Sequence, residues 1–172
     1  MADEVHHPDE VQHPDAGPMT PNYGLSQEDV IHRLNTALAT EVVCWLRYLS
    51  HYHAADGIRA DIVAAELLEH ATQERDHAER LATRIAQLGG MPDLDPSTLV
   101  SRSHAPYRPT TNLEEMLSIN LEAERIAVEF YRDLARYCGD RDPTTRRLVE
   151  DILAQEEEHA DDLVSLMRGQ WR

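Results

Sequence analysis

Four segments of this chain carry apolar residues at alternating three- and four-residue spacing, and the joins between them run short, long, short. That period places the apolar residues on one stripe of an α-helix, and no segment shows the two-residue alternation of a strand. Short joins return a helix antiparallel beside its predecessor, while a long join crosses to the other end of the bundle. The expected architecture is therefore all-α: a four-helix bundle of two hairpins linked by a long crossover.

Local signals set the boundaries. Ser26, with Asp29 three residues on, caps a first helix over about 27–55. A second helix spans about 59–88 and stops at Gly89-Gly90. Residues 91–111 hold Pro92, Pro96, Pro106 and Pro109 and are too polar and proline-broken to form an element. Asn112 with Glu115 caps a third helix ending near Gly139, and Asp142-Pro143 opens a fourth that ends near Gly169. Residues 1–24 carry five acids, four prolines and three histidines and read as a flexible arm preceding the bundle at 25–172. His6-His7 in that arm reads as part of a solvated tail rather than a metal site.

Charge narrows the function classes. Acids outnumber bases 32 to 16, and every base is arginine, so the net charge of −16 opposes nucleic-acid binding through a basic surface. No apolar run long enough to span a membrane occurs and the N-terminus resembles no leader, so the chain is expected to be cytoplasmic, without a membrane partner. Cys44 and Cys138 are too few and too distant for a disulfide framework or a thiolate zinc site and read as reduced thiols.

The inward stripes locate the chemistry. The first is Leu34, Leu38, Glu41, Trp45, Tyr48, Tyr52, and the second is Val63, Leu67, His70, Glu74, His77, Leu81, Ile85, Leu88. The third is Leu113, Leu117, Asn120, Glu124, Ala127, Tyr131, Leu134, and the fourth is Val149, Ile152, Glu156, His159, Leu163, Leu166. A single glutamate on such a stripe is more often an edge residue reaching water, and one E-x-x-H arises easily in a chain with 32 acids and 10 histidines. Together they differ. Four carboxylates converging in a core repel one another and lose hydration, at several kcal/mol per ion, unless protons or cations neutralise them. Two divalent cations would balance four carboxylates, and Glu and His three apart on a helix aim at one point. Oxygen and nitrogen donors without thiolate suit iron or manganese. His70, one turn before Glu74, reads as a buried, hydrogen-bonded histidine, with a ligand role as the alternative; Cys44 reads as a small core residue.

Over roughly residues 25–167 the chain resembles the bacterioferritin branch of the ferritin-like superfamily. The match rests on Glu41 in ATEVVCWLRY, Glu74 and His77 in TQERDHAER, Glu124 in NLEAERI, and Glu156 and His159 in AQEEEHADDL. The resemblance implies two irons per subunit, bridged by Glu74 and Glu156, with Glu41 and His77 completing one and Glu124 and His159 the other. Tyr48 falls where ferritins keep a tyrosine able to supply an electron, although a core aromatic would fit there equally. Two departures matter. Arg75 stands where haem-binding members carry methionine, so no haem is expected. Only 13 residues follow His159, too few for the fifth helix of 24-subunit shells, which is similar to the dodecameric Dps-like mini-ferritins.

The implied function is ferroxidase activity and iron storage in a homo-oligomeric shell, a dodecamer in the first instance and a 24-mer in the second, with Fe(II) oxidised by O2 or H2O2. The rival readings are a di-iron oxidase or hydroxylase, a rubrerythrin-like peroxidase without storage, and a DNA-protecting nucleoid protein.

Overall fold

The computed structural model describes residues 23–57 and 60–169. Five helices and no strand occur among them: α1 (Gln27–Ala54), α2 (Ala60–Gln87), α3 (Leu99–Arg102), α4 (Leu113–Cys138) and α5 (Pro143–Met167). The arm expected over residues 1–24 lies outside the described residues except for Tyr23 and Gly24.

The expected capping chemistry sets the helix starts. Ser26 Oγ accepts from Asp29 N at 3.2 Å, Asn112 Oδ1 from Glu115 N at 3.0 Å, and Asp142 Oδ1 from Thr145 N at 2.9 Å. α2 ends where Gly89 turns to φ +76°, a conformation a side chain would resist. The crossover departs from expectation by holding one helical turn, α3. Asp95 accepts from Ser97 N and Oγ, Thr98 N bonds back to Asp95 O, and Leu99 is buried on the turn that follows. A local side-chain turn plus one buried leucine thus overrides the broken propensity.

α1 packs along α2, and α4 along α5, as two antiparallel hairpins. Their joint core has two apolar ends. One holds Leu34, Leu38, Leu81, Ile85, Leu134, Val149 and Ile152; the other holds Val63, Leu67, Met116, Leu117, Leu163 and Leu166. Each fully buried aliphatic side chain contributes about 1.5–3 kcal/mol. None of the described helices is long and apolar enough to cross a membrane.

The crossover is clamped onto α1 by polar groups. Arg47, fully buried, donates from Nε to Asn120 Oδ1 at 2.8 Å and from Nη1 to Pro106 O at 3.3 Å. Asn120 also reaches His51 Nδ1 at 3.1 Å, and His51 Nε2 donates to Arg108 O at 2.9 Å. Thr40 Oγ1 accepts from His104 N at 3.0 Å. These bonds fix the rotation of α1 and α4, and hence the direction in which their glutamates point.

Candidate metal centre

Between the two apolar ends lies a polar core. Glu41, Glu74, His77, Glu124, Glu156 and His159 are all at most 1% exposed, so every position expected to carry a ligand is buried there. Two overlapping groups form. Ligand atoms of Glu41, Glu74, His77 and Glu156 lie within 4.8 Å of one another, as do those of Glu74, Glu124, Glu156 and His159. Glu74 and Glu156 belong to both groups, the arrangement needed for carboxylates that bridge two ions.

The two hairpins supply matching parts. Glu41 on α1 and Glu124 on α4 are each followed seven residues later by a tyrosine, Tyr48 and Tyr131. Each hydroxyl crosses to the other hairpin: Tyr131 donates to Glu41 Oε1, and Tyr48 donates to Glu124 Oε1. The E-x-x-H glutamates are each preceded by glutamine, and these cross likewise. Gln155 Oε1 faces His77 Nε2 at 3.0 Å, while Gln73 Oε1 faces His159 Nε2. With Nε2–H donated to glutamine, each imidazole keeps its Nδ1 turned toward the carboxylates.

Electrostatics shows what the centre lacks. Among the described residues, no arginine pairs with the four carboxylates. His77 Nδ1 lies 3.0 Å from Glu156 Oε1 and 3.2 Å from Glu41 Oε2, and His159 Nδ1 lies 3.6–3.7 Å from Glu74, Glu156 and Glu124. Burial opposes charging both imidazoles, but their carboxylate neighbours win and hold both pKa values far above the usual histidine range. Burial, then repulsion from Glu74 and Glu156, holds Glu41 and Glu124 well above the usual carboxyl range. Glu74 and Glu156 are buried too, yet the neighbouring acid and imidazole groups hold both low. Without cations, protons held among these acids and imidazoles offset the carboxylate charges. Even so, Glu74 Oε1, both Glu156 oxygens and His159 Nδ1 are buried without a hydrogen bond. Orphaned donor atoms aimed at a common centre fit a pair of divalent cations, and mixed oxygen and imidazole donors fit iron or manganese.

Sequence reading missed several contributors. Gln73 and Gln155 carry no weight in a stripe argument, although the repeated Q-E-x-x-H was visible. Tyr131 reads as core, although its spacing from Glu124 repeats that of Tyr48 from Glu41. His70 is buried, with Nδ1 3.3 Å from Tyr48 Oη. Arg75 is half exposed and faces Glu79 at 3.7 Å.

Comparison with known proteins agrees with the fold. A profile described as ferritin-like domain matches residues 31–169. The "DNA protection during starvation protein" of Pyrococcus furiosus is 29% identical over 85% of this chain and 80% of its own length. A bacterioferritin of Brucella melitensis is 30% identical over 77% of this chain and 78% of its own. Among solved structures, the dodecameric thioferritin of Bacteroides fragilis, a bacterioferritin-related protein, superposes with a TM-score of 0.81 at 33% identity, covering 84% of this chain and 88% of that one. Four long helices, a crossover, two glutamate-histidine groups at the core and these matches have one reading: the chain belongs to the ferritin-like family.

Proposed function

We propose that the chain is a ferroxidase subunit of an iron-storing shell. The observation that carries this reading is the pair of glutamate-histidine groups sharing Glu74 and Glu156, with buried donor atoms left unpaired. Fe(II) is the substrate; bound there it supplies electrons to O2 or H2O2, and the Fe(III) product is stored. Glu74 and Glu156 bridge, Glu41 and His77 complete one ion's shell, and Glu124 and His159 complete the other's. Tyr48 and Tyr131 orient the terminal carboxylates, and Tyr48 is our candidate to pass an electron. The protons held on the imidazoles and on Glu41 and Glu124 leave as cations arrive, so the core never carries four bare charges.

A shell needs interfaces, and Met91, Leu94, Val100 and Met167 are half or more exposed on the single chain. The likeness to the dodecameric thioferritin favours a dodecamer. No haem is expected, because a charged, solvent-facing Arg75 offers no thioether ligand. The net charge of −16 stands against DNA as a partner.

The test is the native mass of the metal-free protein, followed by Fe(II) addition with O2 or H2O2 and optical detection of Fe(III). A closed assembly retaining far more iron than its paired sites can hold is the expected result. A monomer or dimer that stops once those sites are filled would overturn storage and leave an oxidase or hydroxylase.

A further inference from the structure

The two hairpins correspond residue for residue around the centre, so a feature present on one side alone has a built-in control. His70, four residues before Glu74, corresponds to Ile152, four before Glu156. Glu66 corresponds in the same way to Leu148, and Asp162, three after His159, to Arg80, three after His77. On the α5 side, packing alone is required: Ile152 is fully buried in the apolar core with Leu148 against it. On the α2 side an imidazole occupies that place.

His70 is 1% exposed, and its Nε2 is buried without a hydrogen bond. That nitrogen points at two carboxylates, Glu66 Oε1 at 3.2 Å and Asp162 Oδ2 at 3.9 Å, whose side chains are 28% and 34% exposed. The three donor atoms lie within 4.8 Å of one another. Donors about 2.0–2.2 Å from one ion stand about 3–3.5 Å apart, so His70 and Glu66 already match and a small inward movement of the partly exposed Asp162 completes the set. Burying an imidazole with an orphaned nitrogen where an isoleucine would pack is unfavourable unless something binds it. The other face of the ring stacks on His159 with centroids 4.1 Å apart.

We propose that Glu66, His70 and Asp162 form a third divalent-cation site, open to solvent through its carboxylates and backed onto the dinuclear centre through His70. Binding there stands independently of ferroxidase activity. Only its service as a staging point for Fe(II) rests on that reading.

Anaerobic Co(II) titration of the assembled, metal-free protein tests it, with bound cobalt located by anomalous diffraction. The wild type binds one cobalt per chain more than the Glu66→Gln/Asp162→Asn variant, with density between the three side chains. Both substitutions keep side-chain shape at partly exposed positions, and unchanged helicity and native mass confirm the fold. The Glu74→Gln/Glu156→Gln variant loses cobalt at the centre and keeps it at His70. Equal cobalt in the wild type and Glu66→Gln/Asp162→Asn, or additional cobalt located elsewhere, overturns the site. Cobalt at His70 but none at the centre of the wild type would overturn the dinuclear reading and leave this one standing.

Discussion

Asp142 and Glu74 are both carboxylates buried between helices, in surroundings of opposite kind. Asp142 accepts from Arg84 Nη2 at 3.1 and 3.3 Å, from Thr145 N at 2.9 Å, from Thr145 Oγ1, and from Tyr23 Oη at 2.6 Å. Its charge is matched within the chain, and although burial would raise its pKa, these bonds hold it low. Glu74 shares its space with three more carboxylates, no arginine among the described residues reaches it, and one of its oxygens is unpaired. A buried charge serving architecture comes with its partner supplied. One left to protons, with donors orphaned around it, is arranged for a cation from outside.

The comparison breaks most sharply at the shared bridges. Glu74→Ala removes a donor from both groups, so Fe(II) oxidation falls by more than about 100-fold, the upper range for losing a mere supporting partner. Stopped-flow absorbance checks the loss. Arg84→Met leaves Asp142 buried without its cation and lowers stability by about 3–5 kcal/mol in denaturant unfolding, with Co(II) affinity at the centre unchanged. Asp142's contribution is present above the unfolded value of about 3.9 and is lost as pH falls through its lower folded value.

Smaller effects sharpen the contrast. Gln155→Leu frees the Nε2 of His77, and Gln73→Leu that of His159. Each weakens one metal by about 10–100-fold in anaerobic calorimetry and leaves the other nearly untouched. The subtlest signal is in protons. Loading divalent cations near neutral pH displaces those on His77, His159, Glu41 and Glu124, so calorimetric heats vary with the buffer's ionisation enthalpy and affinity falls as pH falls. Buffer-independent heats would contradict the protonated metal-free state. Raised imidazoles also add stability to the metal-free fold below about pH 6.5, lost as pH rises through their folded values.

The bundle and the six candidate ligands were legible because helical periodicity brings Glu41, Glu74, His77, Glu124, Glu156 and His159 to the stripes that must face one another. Residues that act across hairpins were not. Gln73 and Gln155 sit one residue off the stripe, where rotation of about 100° usually leads to solvent, and only the packing of α2 on α5 shows whom they meet. Arg47 belongs to the face of α1 that periodicity assigns to water; the crossover covers it and makes it a buried clamp. The turn α3 rests on Asp95 and one leucine, too little to outweigh four prolines when read in isolation. His70 was visible as a position, but its orphaned nitrogen needed the placement of Glu66 and Asp162.

The most direct test of the centre is anomalous diffraction at the iron edge from crystals loaded with Fe(II) without oxidant. The account predicts two iron peaks in the polar core, spanned by Glu74 and Glu156, with His77 bound to one and His159 to the other. A core without iron, or a single iron that Glu74 and Glu156 do not share, would contradict it.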